Sequence, residues 1–227
     1  MSKIKTVGIV GTGVIGTGWI IRNLAHNKIV HAYDQNKNLK SYVLKEIRRT
    51  SKSIKKLFGK KILIKNLKFF NSLEKALVNV DFVQESVLEN YKVKTDLIHK
   101  ISKYVKSDII ISSSSSGLLP SKIFSKSENP QRGIIGHPFN PAYLLPAVEI
   151  VPGKKTTKKF LLDANKYYKS ISMKPIMLKK ELPGYLSDRL QEALWREGLH
   201  IINENYATTQ ELDRAIEDGP GLRYSIM

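Results

Sequence analysis

Short apolar, β-branched runs alternate with longer segments in which apolar residues recur every three or four positions. Residues 4–10 (IKTVGIV), 29–33 (IVHAY), 67–70 (LKFF), 81–87 (DFVQESV), 108–112 (DIIIS) and 173–178 (MKPIML) read as strands. Between them lie stretches of helical period. Residues 38–58 carry Leu39, Val43, Leu44, Ile47, Ile54 and Leu57 on one face, and Gly59 ends them. Ser72 caps a helix that runs through Val78. Residues 91–105 turn Val93, Leu97, Ile98, Ile101 and Val105 inward, and a further helix starts at Pro120 and ends at Asn129-Pro130. Residues 156–169 form another. Strands alternating with helices predict a doubly wound, mainly parallel α/β sheet. At Leu182-Pro183-Gly184 the pattern becomes purely helical: residues 185–202 make one helix, and Thr208 with Glu211 forms a capping box for a second through Glu217. Two domains are therefore expected, 1–182 for the α/β part and 183–227 for the first part of an all-α C-terminal domain that is cut short.

The first strand runs directly into GTGVIG, which opens a helix. This is G-x-G-x-x-G in the strand–turn–helix setting that a dinucleotide requires. Gly11 permits the turn, Gly13 lets the backbone approach a pyrophosphate, and Gly16 allows the helix to pack on the strand. The whole loop, Gly11, Thr12, Gly13, Val14, Ile15 and Gly16, is the candidate cofactor site. Asp34 ends the second strand, eighteen residues beyond Gly16. An acid there accepts from both ribose hydroxyls and repels a 2′-phosphate, so a Rossmann-type domain selective for NAD is expected. Lys37 is the one nearby residue that speaks for a phosphate.

With 227 residues and 41% hydrophobic positions the chain can bury a sizeable core. It has no cysteine, which removes disulfide and thiolate chemistry. No run of eighteen apolar residues marks a membrane span, and no signal peptide precedes the first strand, so a cytoplasmic location is expected. The net charge of +18 raises nucleic-acid binding, but the lysines are spread along helices (Lys40, Lys45, Lys92, Lys94, Lys100 and Lys103 among them) and read as isolated surface positions. Lys52 to Lys68 is the densest cluster. No metal site is expected.

Candidate chemistry concentrates in Arg132 to Ile150 (RGIIGHPFNPAYLLPAVEI). His137 follows the apolar Ile134 and Ile135, and Glu149 sits in a second apolar run twelve residues later. Two neighbouring strands joined by the proline-rich loop would bring the side chains together, and a carboxylate beside an imidazole raises its basicity and fixes its tautomer. The stretch equally suits a histidine that closes a strand and a glutamate on a solvated edge; alone, it leaves both readings open. The run Ser112 to Gly117 is either a flexible small-residue turn or a loop of hydroxyls near a ligand. Its place after a strand favours the second. Glu85, Ser86, Glu89 and Asn90 end the 81–87 strand, at the carboxyl edge where α/β sheets bind ligands.

Taken together, the glycine loop, the serine loop, HPFNP and Glu149 resemble the 3-hydroxyacyl-CoA dehydrogenase superfamily from end to end. The words SSSSSGLLPS, GHPFNPAYLLPAVEIV and LPGYLSDRLQEALWREGLHIINE look most like its branch that oxidises L-carnitine. The resemblance implies NAD as cofactor, a small-molecule substrate, a homodimer, His137 as general base and Glu149 as the acid that orients it. It implies Ser116 and Asn140 at the substrate oxygen and nicotinamide end, and Glu89 and Lys94 at the cofactor. Asp188 stands where the acyl-CoA enzymes have asparagine, and the segment between Asp34 and Phe69 is short where those enzymes carry a hairpin that contacts CoA. Both departures argue against a CoA-sized substrate. A trimethylammonium head is held by aromatic faces and carboxylates, for which Phe139, Tyr143, Tyr185, Trp195, Asp188 and Glu192 are candidates. Arg196 could hold the substrate carboxylate or pair with Glu192. The rival expectations are dehydrogenation of 3-hydroxybutyryl-CoA or L-gulonate, and an NAD-binding protein without catalysis.

Overall fold

The computed structural model describes residues 4–36 and 38–226, so Lys37 lies outside the described residues. The chain divides into two compact units, Met1–Tyr185 and Leu186–Met227.

The first unit is one eight-stranded sheet: β1 (Thr6–Val10), β2 (Ile29–Tyr33), β3 (Leu67–Phe70), β4 (Phe82–Glu85), β5 (Ile110–Ser113), β6 (Gly133–Pro138), β7 (Ala147–Pro152) and β8 (Lys174–Met177). Its order is β3-β2-β1-β4-β5-β6-β7-β8. Neighbours from β3 across to β6 are parallel; β7 runs antiparallel to β6, and β8 parallel to β7. Adjacent strand residues divide between two cores: Phe82, Ile110 and Ile134 join one, and Val83, Ile111 and Ile135 the other. Successive side chains point to opposite faces, so both faces of the sheet are covered. That is why these strands read as continuous apolar runs.

The helices of this unit are α1 (Val14–Ala25), α2 (Leu39–Phe58), α3 (Leu73–Leu77), α4 (Tyr91–Tyr104), α5 (Pro120–Ile123) and α6 (Lys158–Ser170). α1 is buried from Gly16 to Ala25 and carries Arg22 into the interior. The guanidinium donates to Ala142 O at 3.1 Å, Leu145 O at 2.8 Å and Ser172 O at 3.3 Å. Burial lowers its pKa to about 10. The group thereby ties the loop that follows β6 to the helix that follows the glycines.

Several elements depart from the pattern-based expectations. On α2 the inward side chains are Val43, Ile47, Thr50 and Ile54, while Leu57 is exposed as the helix runs out to Gly59, whose φ of 63° ends it. On α4 Val93 is exposed and Lys94 is buried, the reverse of the expected arrangement. The helix at Pro120 lasts one turn; Asn129, at φ 55°, does not end it but precedes a separate 3-10 turn, Pro130–Arg132, with Pro130 in the first-turn position proline favours. Tyr185 belongs to no helix: it is fully buried with φ 44°.

The second unit consists of α7 (Ser187–Asn203), α8 (Thr209–Glu217) and α9 (Pro220–Ile226). The capping box of Thr208 and Glu211 is formed, whereas α9 had no signal beyond Pro220 at its start. No helix among the described residues is long and apolar enough to cross a membrane.

His26 and His31 link this architecture to pH. His26 ends α1, with Nδ1 2.8 Å from Arg22 O and Nε2 2.8 Å from Ser172 Oγ. Burial lowers both histidines below 6.5. Lowered folded-state values mean that the unfolded chain binds protons first, so stability is full above 6.5 and declines as pH falls below it. Urea denaturation between pH 7.5 and pH 5 is expected to show this decline, and a flatter slope in His26→Gln; identical slopes would reject the assignment.

Candidate active site

β1 ends at Val10 and the chain turns through Gly11 at φ 88°. A Cβ there would stand 2.6 Å from Ser86 O, and one on Gly16 would stand 1.9 Å from Gly11 O, so neither position admits a side chain. A Cβ on Gly13 would meet nothing within 4 Å, which leaves open space over the loop. Asp34 is anchored facing this loop: Oδ2 accepts from Thr12 N at 2.6 Å and from its hydroxyl at 3.3 Å, and Oδ1 from Asn36 N at 2.9 Å. Gly11, Gly13, Asp34, Leu73, Ser86 and Val87 help line a cavity of about 690 Å³. Open backbone at a helix N-terminus beside an acid at the end of β2 fits the phosphates and ribose of a dinucleotide.

A second cavity, of about 260 Å³, is lined by Ile15, Ser86, Val87, Glu89, Lys94, Ser114, Ser116, His137 and Pro138. The antiparallel register sets His137 opposite Glu149, and directly opposed residues project from the same face of a sheet. His137 Nδ1 lies 2.8 Å from Glu149 Oε2, with the imidazole nearly buried and the carboxylate fully so. An ionised carboxylate only accepts, so Nδ1 is the donor in this contact, and in a neutral imidazole the lone pair then falls to Nε2. The rings of Phe139 and Tyr185 lie 5.4 Å and 5.6 Å from the imidazole. Burial raises the Tyr185 phenol, which stays protonated and donates to Leu118 O at 2.7 Å.

Beside the histidine lies an ionic cluster in which Lys94 and Glu85 are buried and Glu89 is exposed. Lys94 Nζ is 2.8 Å from Glu85 Oε1 and 3.4 Å from Glu89 Oε2, and it donates to Val87 O at 3.0 Å. Glu85 also accepts from Val87 N at 2.6 Å and Ser113 Oγ at 2.5 Å. Glu89 accepts from the Ser115 hydroxyl and from Ser116 N, the latter at 3.1 Å. Lys94 is thus no surface lysine: its charge holds two glutamates that in turn hold the serine loop. Among the described residues no group of three His, Cys, Asp or Glu could hold a metal.

Two family models match this chain: the NAD binding domain of 3-hydroxyacyl-CoA dehydrogenase over residues 6–182, and its C-terminal domain over residues 184–227. The chain belongs to the 3-hydroxyacyl-CoA dehydrogenase family. It is an NAD-dependent 3-hydroxy acid dehydrogenase. It is 44% identical over 228 residues to the L-carnitine dehydrogenase of Pseudomonas putida, covering 100% of this chain and 71% of that one. It is likewise 44% identical over 225 residues to the L-carnitine dehydrogenase of Oceanobacillus iheyensis, covering 99% of this chain and 73% of that one. Among solved structures, the 3-hydroxybutyryl-CoA dehydrogenase of Escherichia coli superposes with a TM-score of 0.89 at 24% identity, covering 96% of this chain and 47% of that one. That similarity is one of fold.

The family fold brings His137, Glu149, Ser116, Glu89 and Lys94 into one neighbourhood. Other expected site residues lie elsewhere. Asn140 is exposed at the start of a cis peptide to Pro141 and is not among the residues lining the histidine cavity. Tyr143 packs against the core and takes a 3.4 Å hydrogen bond from Arg49, so its ring serves the scaffold. Tyr185 is fully buried and offers no face to an ammonium group. Asp188, Glu192, Trp195 and Arg196 lie on α7 in the second unit, Asp188 half-buried and the other three exposed to solvent. Among the described residues no ion pair joins Glu192 to Arg196. Asn90 caps α4 by accepting from Val93 N at 3.1 Å. Sequence reasoning did not give Glu85 its role. The signal was there: an acid at the end of a strand, nine residues before a lysine.

Removing one partner of a fully buried ion pair strands the other charge. Lys94→Met is expected to destabilise the first unit by about 3–5 kcal/mol, measured by urea denaturation. A loss under about 1 kcal/mol would show that the pair behaves as a surface one.

Proposed function

We propose that this chain oxidises L-carnitine to 3-dehydrocarnitine, with His137 as general base and Glu149 as its orienting partner. The observation that carries the reading is the 2.8 Å contact between His137 Nδ1 and Glu149 in a cavity that also receives Ser116 and Glu89. Identity of 42–44% to several L-carnitine dehydrogenases, over 99–100% of this chain and 71–73% of theirs, supports the substrate. The residues of the glycine loop, with Asp34, would hold NAD, which when bound supplies the hydride acceptor.

The chain's own groups do the rest. His137 Nε2 takes the proton of the substrate hydroxyl. Glu149, buried against Nδ1, stabilises the positive imidazolium that results. Ser116, exposed at the cavity with its backbone N–H fixed on Glu89, would hold the reacting oxygen. Phe139, partly exposed next to the imidazole, offers an aromatic face for a quaternary ammonium. Among the described residues between Asp34 and β3, α2 is the single α-helix, with a 3-10 turn after it, and supplies no hairpin for a CoA tail.

General-base catalysis contributes about 100- to 10,000-fold. His137→Gln is expected to lower kcat by about that factor and leave NADH affinity, measured by fluorescence titration, within about twofold. Loss of NADH binding together with turnover would reassign the histidine to the cofactor or the fold. Initial rates on L-carnitine, 3-hydroxybutyryl-CoA and L-gulonate should favour carnitine by at least about 100-fold in kcat/KM, a gap of roughly 2.7 kcal/mol in transition-state binding. A preference for either competitor replaces carnitine as the substrate and leaves the dyad standing.

A further inference from the structure

A chain of buried polar groups ends at a serine that the mechanism above does not use. Trp19 Nε1 donates to Ser114 Oγ at 3.0 Å. Gln84 Nε2 donates to the same oxygen at 2.8 Å, while Gln84 Oε1 accepts from the Tyr168 phenol at 2.7 Å. An indole N–H and an amide nitrogen can only donate, and a serine oxygen has two lone pairs and one proton. Both lone pairs of Ser114 are therefore occupied. Ser86 Oγ lies 2.8 Å from it, and Ser114 has only its proton to offer. Ser86 is thus the acceptor in that bond, and its own proton has no acceptor among the described residues.

Ser86 lines both the glycine-loop cavity and the His137 cavity. Its backbone is held in place: Ser86 N donates to Val10 O at 2.7 Å, and its carbonyl oxygen lies where a Cβ on Gly11 would come within 2.6 Å of it. A molecule that spans the two cavities must pass this hydroxyl at the joint between its halves. In a dinucleotide that joint is the diphosphate and the second ribose, both rich in acceptor oxygens. We propose that Ser86 is a cofactor-binding hydrogen-bond donor to the diphosphate–ribose portion of NAD, its polarity set through Ser114 by Trp19 and Gln84. The proposal rests on the assignment of the two cavities to one dinucleotide and is independent of what His137 does.

Binding without turnover tests it. NADH, ADP-ribose and AMP are titrated calorimetrically into the full chain and into Ser86→Ala, Ser86→Thr and Gln84→Met. The indole N–H resonance of Trp19, one of only two tryptophans, reports that the buried chain is intact. A lost hydrogen bond predicts that Ser86→Ala binds NADH and ADP-ribose about 3- to 10-fold more weakly. AMP, which does not reach the joint, should bind as to the parent chain, and Ser86→Thr should restore ADP-ribose to within about twofold. Gln84→Met frees a lone pair on Ser114 and lets Ser86 turn its proton inward. It should therefore weaken ADP-ribose in the parent chain and cause no further loss in a Ser86→Ala background. Unchanged ADP-ribose binding in Ser86→Ala, or an equal loss for AMP, overturns the donor assignment. Additive losses overturn the relay. A parent chain that binds none of the three rejects the dinucleotide cleft itself, a different failure.

Discussion

Glu149 is a carboxylate with no exposure to water, and the site depends on how that charge is met. Isolated in an apolar interior, an ionised carboxylate costs several kcal/mol or protonates instead. Here it faces the imidazole of His137 across a strand pair, in a register that places the two residues directly opposite. The register is itself over-determined, because a slip by one residue would turn every apolar side chain of β7 to the wrong core. Val148 and Ile150 pack in one core and Val151 in the other. Hydrophobic packing thus aligns an imidazole and a carboxylate to within hydrogen-bonding distance, and Arg22 secures the loop between the two strands by donating to its carbonyls.

The reversal of β7 is what allows the pair to form. In a parallel sheet the carboxyl ends gather at one edge, and β1, β4, β5 and β6 deliver there the glycine loop, the Glu85–Glu89 loop, the serine loop and His137. A strand parallel to β6 would need a long crossover before it could return a side chain beside the histidine. An antiparallel partner does so after a short loop. The edge that carries the candidate site is therefore a parallel nucleotide-binding scaffold completed by one antiparallel hairpin.

Much of this was legible in the sequence because buried parallel strands announce themselves as unbroken apolar runs. β2 and β3 fall where periodicity places them, and so does the capping box of α8. The stretch from Arg132 to Ile150 left two readings open, since alternation alone does not reveal which strand pairs with which. The structure puts the imidazole and the carboxylate in contact. What escaped the sequence is side-chain partnership across the fold. Lys94 looks like any solvated helical lysine until β4 presents Glu85 beneath it. Tyr143 and Tyr185 look like aromatic walls for a cationic ligand until core packing absorbs one and a left-handed backbone with full burial removes the other. Short elements such as α5 were misjudged because a proline marks a helix start and says nothing about length.

The charge distribution gives the composition a different meaning once the site is drawn. The chain carries +18 overall, yet the groups gathered at the sheet's carboxyl edge are Asp34, Glu85, Glu89 and Glu149, against Lys94 as the buried cation. Lys94 offsets Glu85 there, and Glu149 is fully buried against His137, so few of these charges face the cavities. Surface lysines spread over helices are screened within about 8 Å at physiological ionic strength, whereas charges inside a partly dehydrated cleft are screened much less. The lining of each cavity therefore matters more than the net charge. An anionic cofactor meets the open backbone at the start of α1, whereas the charged groups beside His137 in its cavity are Glu89 and Lys94, of opposite sign. Their charges offset, so shape and hydrogen bonding must select what binds at the histidine.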